Sequence, residues 1–167
     1  MSQNDAPATV PAVDLQRYLG TWYEIARLPM RHEPEDYRDI TATYSLQDDG
    51  KVRVANRAID GKGEQQESIG EATPVDGSSN SKLEVTFLPE GLRWIPFTKG
   101  DYWILRLDPD YRVALVGSPD RKYLWLLARD PRLDPSTRDD YLATARAQGF
   151  ELDDLIHTPQ GGPPPYP

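Results

Sequence analysis

The chain of 167 residues contains no cysteine and only two histidines. Disulfide bonds, thiolate catalysis and cysteine-ligated metal sites are therefore excluded. His32 and His157 lie far apart, and neither belongs to a metal-ligand spacing such as HExxH, so we expect no metal ion and no cofactor. No GxSxG motif occurs, and Gly61-Lys62-Gly63 lacks the context of a phosphate-binding loop. The sequence therefore favours a protein that is not an enzyme.

Long hydrophobic runs are also missing, since no segment approaches the about eighteen apolar residues of a membrane-spanning helix. The stretch from Met1 to Val13 lacks the charged-then-apolar layout of a signal peptide. Positive charge is scarce, with 19 Lys and Arg against 27 Asp and Glu and a net charge of −8. This acidic excess disfavours nucleic acid and anionic membrane surfaces as electrostatic partners, but it places no limit on an apolar ligand.

Turn signals recur at regular intervals along the chain. Asp-Gly pairs supply the positive φ angles of tight hairpins, and proline presets the first position of a turn. Between these signals apolar and polar residues alternate, as in Leu83-Glu84-Val85-Thr86-Phe87. The pattern predicts an all-β protein whose antiparallel strands close into an up-and-down barrel. The eight candidate strands lie near 21–28, 39–47, 51–59, 64–73, 81–88, 101–108, 111–118 and 122–129.

One helix follows the candidate strands. Asp134 can cap its first turn, Pro135 suits that turn, and Gly149 can end the helix. An apolar side would pack this helix on the outside of the barrel. That side consists of Tyr141, Leu142 and Ala145.

The two ends of the chain differ from the rest in composition. Residues 1–12 are small, polar and proline-containing, and the chain closes with GGPPPYP over 161–167. Neither segment can bury an apolar face. We therefore predict a flexible tether over 1–12, one domain over 13–158 and a disordered tail rich in proline and glycine over 159–167.

Three clusters of residues resemble a known family. Gly20-Thr21-Trp22-Tyr23-Glu24-Ile25-Ala26-Arg27 resembles the GxWYEIAR opening of the lipocalins, and 102–116 and 123–129 resemble their second and third signatures. Residues 70–75 are similar to the branch that holds bacterial outer-membrane lipocalins and apolipoprotein D. The matches run in order, with fitting gaps, from about Val13 to His157. This resemblance implies an eight-stranded barrel that is closed at one end and open at the other.

The resemblance also implies what the barrel contains. Trp22 would plug the closed end with Arg129 across its indole, a cation–π contact worth about 0.5–2 kcal/mol. The interior would bind, and carry or store, a small hydrophobic ligand, for which we favour a fatty acid or a lysophospholipid. Two alternatives stay open: a protein-interaction module with a filled barrel, and a lipocalin-type enzyme that acts on a bound lipid.

Strand alternation predicts which side chains face the interior. The apolar phase is taken as inward, and Arg129 beneath Trp22 fixes the phase of the last strand. Strand 101–108 is apolar on both faces, so its phase follows that of the resembled family. Eight strands can enclose either a packed core or a ligand cavity, and the resemblance favours the cavity. The candidate ligand-binding residues are Tyr44, Val54, Asn56, Val85, Phe87, Tyr102, Ile104, Arg106, Tyr123, Trp125 and Leu127.

An inward Arg106 has two interpretations. Its guanidinium could neutralise the carboxylate or phosphate of a ligand head group, or it could pair with an internal carboxylate such as Glu24. In the same phase Trp103 lies outside, in a dimer contact or as an isolated surface aromatic. We accordingly expect a monomer or a weak homodimer.

The longer hairpin loops fall at the open end. Residues 29–38 form one loop, and 89–100 form another that carries Trp94, Ile95 and Phe97. An apolar loop at a pocket rim could contact a bilayer or close over a ligand, and it could also fold back as a small satellite core. Its place at the rim favours a functional role.

The amino terminus suggests a native location. Bacterial relatives commonly begin their mature chain with a lipid-modified cysteine, and Met1-Ser2-Gln3-Asn4 stands where that cysteine would lie. We expect that Met1 replaces it, and that the native protein is a lipoprotein anchored to the outer membrane on the periplasmic side. A cytoplasmic protein without an anchor is the alternative.

Overall fold

The computed structural model describes residues 6–29, 37–87 and 99–161, and each of the eight predicted strands is present. The helices are α1 (Leu15–Tyr18) and α2 (Pro135–Ala147). The strands are β1 (Gly20–Arg27), β2 (Arg38–Leu46), β3 (Val52–Ile59), β4 (Gln65–Pro74), β5 (Lys82–Phe87), β6 (Lys99–Leu107), β7 (Val113–Gly117), β8 (Leu124–Ala128) and β9 (Ile156–His157).

The strands form one antiparallel sheet that closes on itself. Strands β2 to β8 pair in sequence order, and β1 pairs with β8 on one side and with β2 on the other. The two-residue strand β9 adds to β1. The predicted eight-stranded up-and-down barrel, with one long helix outside it, is confirmed. Because the sheet closes, each of the eight main strands pairs with a neighbour on both sides over at least part of its length.

Alternating side chains build the interior of the barrel. In β5, Leu83, Val85 and Phe87 are buried, whereas Glu84 and Thr86 are exposed. The inward residues of the other strands join them in one apolar cluster. A second apolar cluster lies between the outer surface of the barrel and α2. The period of two along each strand therefore divides the core into an inner and an outer part.

Helix α2 packs on the outside of the barrel, as predicted. The Asp134 side chain accepts hydrogen bonds from two backbone N–H groups of the first turn. Gly149, with φ of +93°, follows the last turn, a backbone conformation that glycine adopts without strain. The predicted apolar side is buried in the outer cluster through Tyr141, Leu142 and Ala145. In the parts of the chain that the structure describes, no helix is long and apolar enough to cross a membrane.

The segment before β1 is held against the barrel. The backbone N–H of Val10 donates to the carbonyl of Ile104, and that of Ala8 donates to the Gln148 side chain. The short helix α1 follows, with Asp14 as its N-cap. Sequence analysis missed α1, and two residues of its predicted tether over 1–12, Ala8 and Val10, make these contacts.

The segment 156–161, here called the C-terminal strap, also belongs to the domain. It contains β9, and its Gln160 side chain donates to the carbonyls of Glu24 and Ile40 at 2.7 and 2.8 Å. The backbone N–H of Asp39 donates to the carbonyl of Pro159. The first three residues of the predicted tail over 159–167 are therefore hydrogen-bonded to β1 and β2.

Trp22 and Arg129 close the narrow end of the barrel. Trp22 is fully buried, and the Arg129 Cζ lies 3.9 Å from the centroid of its ring. Arg129 Nε also donates to the carbonyl of Tyr111, and Trp22 Nε1 donates to that of Tyr18. The stacking expected from the sequence is present, and both side chains are fixed by backbone acceptors.

Candidate ligand-binding cavity

A cavity opens into the barrel from the end opposite Trp22. Its volume is about 700 Å³ when the space at its opening is included. We call it the mouth cavity. Most of its lining is apolar or aromatic, and the lining residues are Glu24, Ile40, Thr41, Ala42, Tyr44, Val54, Asn56, Val85, Phe87, Gly100, Asp101, Tyr102, Trp125 and Leu127.

Strand alternation brings most of the predicted ligand-binding residues together around this cavity. The phase of these residues was read from alternation in β2, β3 and β5, fixed by Arg129 in β8, and taken from the resembled family in β6. The predicted residues in the lining are Tyr44, Val54, Asn56, Val85, Phe87, Tyr102, Trp125 and Leu127.

Arg106 does not face the interior, so the predicted inward orientation is wrong. Its guanidinium lies 3.9 Å from the ring centroid of Tyr141 and donates to Asp140 on α2 at 2.8 Å. The cause is an irregularity in β6, where the register against β7 shifts between Ile104 and Arg106. The extra residue, Leu105, reverses the facing of the residues after it. Arg106 therefore anchors α2 and has neither predicted role.

Two further predicted residues lie outside the lining. Ile104 points inward but is fully buried in the inner core, below the cavity. Tyr123 stands at the rim, where its ring stacks on Trp125 with centroids 6.1 Å apart. Ile104 therefore supports the cavity from beneath, and Tyr123 supports one of its walls.

Glu24 is a polar lining residue that sequence analysis considered only as a partner of Arg106. It is 5% exposed, and its Oε2 accepts hydrogen bonds from Arg27 Nη1 at 2.9 Å and from Thr158 Oγ1 at 2.6 Å. Burial raises the pKa of the Glu24 carboxyl, against the opposing effects of the Arg27 charge and these hydrogen bonds. The wall of the cavity thus contains a buried ion pair.

The Glu24–Arg27 pair depends on a second irregularity. Residues three apart in a regular strand point to opposite faces of the sheet. The register of β1 against β8 shifts between Glu24 and Ala26, which lets both side chains meet inside. The sequence shows the charges but carries no clear signal for this shift.

Other lining residues were also missed. Ile40 and Thr41 lie at the end of β2 near the opening, and Gly100 and Asp101 begin β6 there. Ile40 shares the inward phase of Tyr44, so its position could have been read from the sequence. The others lie at the rim, where neighbouring residues of both phases can reach the opening.

Tyr44 and Tyr102 line the floor of the mouth cavity, and Tyr18 lies beneath them. The hydroxyl of Tyr102 is hydrogen-bonded to that of Tyr18 at 2.7 Å and to that of Tyr44 at 2.8 Å. Burial raises the pKa of all three phenols, so they stay neutral at physiological pH. We call this group the tyrosine floor.

A second, smaller cavity lies beneath the tyrosine floor. Its volume is about 330 Å³ when the open space at its edge is included, and it is bounded on one side by Leu15 and Leu19, within and after α1. We call it the closed-end cavity. Tyr44, Val54, Val85 and Tyr102 line both cavities.

The remaining predicted features lie elsewhere. The rim residues Trp94, Ile95 and Phe97 fall outside the described residues. Trp103 packs into the outer cluster, with Lys82 Nζ 4.2 Å from its ring centroid. Within the described ranges, no group of three or more acidic or histidine side chains is placed to hold a metal ion.

A closed barrel with an apolar cavity open at one end defines a class of proteins that enclose small molecules. A family profile described as a lipocalin-like domain matches residues 13–160. The chain therefore belongs to the lipocalin family, whose members bind small hydrophobic ligands.

Relatives of known name support this placement. The chain is 38% identical over 167 residues to temperature-induced lipocalin-1 of Arabidopsis thaliana, covering 99% of this chain and 89% of that protein. It is 41% identical over 150 residues to the outer membrane lipoprotein Blc of Escherichia coli (strain K12), covering 89% of this chain and 80% of that protein. The expected likeness to bacterial outer-membrane lipocalins is thus confirmed.

Solved structures agree on the fold. Lobster apocrustacyanin A1 superposes with a TM-score of 0.69 at 15% identity, covering 97% of this chain and 94% of that one. At this level of identity the match supports the architecture alone.

Proposed function

We propose that the protein binds an elongated lipid, a fatty acid or a lysophospholipid, in the mouth cavity and carries or stores it. The observation that carries the proposal is the apolar cavity itself, with its opening at one end of the barrel and its tyrosine floor. A mostly apolar, concave lining with a few well-placed polar groups is typical of small-molecule sites. The interaction-module alternative requires a filled barrel, which disagrees with this cavity.

The energetics suit a long apolar chain. About a dozen buried methylenes, at ~0.8 kcal/mol each, would contribute on the order of 10 kcal/mol before the costs of association. Those costs reduce the net value, so we expect affinities in the micromolar to nanomolar range.

The proposed ligand contacts are the eight predicted residues in the lining, together with Glu24. Ile104, Arg106 and Tyr123 are no longer proposed as contacts, because they lie outside it. Trp125 and Leu127 on β8 would contact the acyl chain from one wall, and Val85 and Phe87 on β5 from another. The head group would lie at the opening.

We further propose that the native protein acts at the outer membrane, on the periplasmic side, through a lipid anchor. The proposal is supported by relatives that are outer membrane lipoproteins. The native gene should then encode an apolar segment that ends in a cysteine at the position of Met1. A gene without that segment would contradict the anchor while leaving the lipid site untouched.

Native mass spectrometry with added lysophosphatidylcholine or oleic acid tests the lipid site. We expect one adduct per chain and a saturable change in tryptophan emission. Trp125→Ala should weaken binding by about tenfold or more, because it removes a large apolar contact from the cavity wall.

Trp103→Ala is the matched control, since Trp103 packs outside the barrel and should leave the affinity unchanged. The absence of any adduct across several lipid classes would contradict the proposed function. Equal weakening by both substitutions would show that the loss does not arise in the cavity.

A further inference from the structure

The two cavities of the barrel are consecutive levels of one space. Along β3 the lining passes from Asn56 through Val54 to Val52, and along β5 from Phe87 through Val85 to Leu83. The middle residue of each series lines both cavities. Because inward side chains repeat every second residue, each step of two moves the lining one level toward the closed end.

At that middle level, two rings separate the cavities. Tyr44 and Tyr102 meet edge to face with centroids 5.9 Å apart, and their hydroxyls are 2.8 Å apart. Tyr18 supports them from α1, because its ring lies 5.7 Å from that of Tyr44 and its hydroxyl bonds to Tyr102. The partition therefore consists of aromatic rings held together by hydrogen bonds.

We propose that the tyrosine floor sets the length of acyl chain that the protein accepts, and that the closed-end cavity is a second compartment behind it. This inference rests on the proposed lipid site in the mouth cavity. A chain that enters methyl end first meets the floor, and it can go deeper only if Tyr44 and Tyr102 separate. Separation breaks the buried hydrogen bond between the Tyr44 and Tyr102 hydroxyls, which opposes further entry.

The closed-end cavity fits the end of a hydrocarbon chain and little else. Apart from three tyrosine side chains its lining is aliphatic, with Leu15, Val52, Ala72 and Leu83 as examples. A head group there would lose its contact with water without gaining polar partners. Once the floor is opened, the occupant that this cavity fits is therefore the methyl end of a long acyl chain.

The test measures affinity for saturated lysophosphatidylcholines of increasing chain length, from about ten to twenty carbons, below their critical micelle concentrations. In the wild type, each methylene should tighten binding by about fourfold until the chain reaches the floor, and further methylenes should add nothing. In Tyr102→Leu and Tyr44→Leu, the two cavities merge. The increase should then continue over longer chains, with binding of the longest ones about tenfold tighter than in the wild type.

Tyr23→Leu is the matched control, because Tyr23 on β1 lines neither cavity and the same substitution there should keep the wild-type profile. If the leucine variants do not fold, Tyr102→Phe replaces them as the test of the floor. It keeps the ring but removes both hydrogen bonds of the floor, so we expect a smaller extension of the profile.

NMR contacts locate the chain end directly. With a ¹³C-labelled terminal methyl group, cross-peaks to Leu15 and Ala72, which line only the closed-end cavity, should be absent in the wild type and present in Tyr102→Leu. A wild-type profile that rises to the longest chain, or floor variants that keep the wild-type plateau, would overturn the inference. No binding at any length would overturn the proposed function as well, so the two failures are distinguishable.

Discussion

At the scale of single residues, the least expected feature is an ion pair in the wall of an apolar cavity. Arg27 and Glu24 are almost fully buried, and Thr158 adds a hydrogen bond to the same carboxylate oxygen. Two buried charges compensate each other only while both are present. The pair therefore makes β1 sensitive to the loss of either partner.

Arg27→Leu should destabilise the protein by about 3–5 kcal/mol at pH 7, because it leaves the Glu24 carboxylate buried without its counter-charge. Urea unfolding measures this change. Arg57→Leu is the control, since the Arg57–Glu67 pair on the barrel surface is about half exposed and should contribute about 1 kcal/mol or less. Similar losses of stability in the two variants would show that burial does not make the Glu24–Arg27 pair more important than a surface pair.

The same variant should also change how stability depends on pH. Burial raises the pKa of Glu24 above its unfolded value, so this carboxyl favours folding at low pH, and the advantage is lost as pH rises through the raised pKa. Arg27 opposes that rise, so removing it moves the pKa further up. The stability difference between wild type and Arg27→Leu should therefore widen as the pH rises above the ordinary pKa of a glutamate carboxyl, about 4.3. A stability difference that does not change with pH would contradict this prediction.

At the scale of elements, the junction between α2 and β7 depends on a glycine. Phe150 follows α2 and is 3% exposed, and its ring lies over Gly117 of β7. A Cβ at Gly117 would stand 2.7 Å from the Phe150 ring and 3.1 Å from Leu105. The helix end can thus approach the barrel closely only because β7 has no side chain there.

Gly117→Ala should destabilise the protein by about 1–3 kcal/mol, because the added methyl group forces the Phe150 ring away from the outer cluster. Thermal unfolding of the single variants and of Gly117→Ala with Phe150→Leu forms a double-mutant cycle. We expect the smaller leucine to recover part of the loss. Strict additivity would show that the strain does not lie between these two residues.

Strands with clear alternation were predictable from the sequence, and strands with irregular register were not. The phases of β2, β3 and β5 gave Tyr44, Val54, Asn56, Val85 and Phe87, all of which line the cavity. Strand β7 is buried on both faces, so its pattern does not fix the phase of β6 beside it. One extra residue at Leu105 then places Arg106 outside. A single-residue irregularity is determined by packing across strands, which a local pattern does not contain.

At the scale of the whole molecule, the barrel is closed by contacts between distant parts of the chain. Strand β1 pairs with β2 only over Gly20–Tyr23, and the C-terminal strap bonds to both strands beyond that point. The strap has no periodic pattern of its own, and beyond β9 its hydrogen bonds are made by residues 158–161. Sequence analysis therefore assigned the last residues of the strap, 159–161, to a disordered tail, although the family signatures located the barrel itself.

The strap provides the last prediction. A chain that stops after His157 loses the Thr158 bond to Glu24 and both Gln160 bonds to backbone carbonyls, whereas a chain that stops after Gly161 keeps them. Each buried group left without a partner costs about 1–3 kcal/mol, so only the shorter chain should unfold at markedly lower urea concentration.

In the shorter chain, hydrogen exchange should be faster in β1 and β2, for example at Ala26 and Ile40, than in β5. The reason is that the junction between β1 and β2, here called the seam, opens first when the strap is absent. Lipid binding should weaken in parallel, since Glu24 and Ile40 line the mouth cavity. Equal stability of the two truncated chains would mean that β1 and β2 hold the barrel closed without the strap. Uniform loss of protection across all strands would mean that the strap stabilises the whole barrel and not this seam alone.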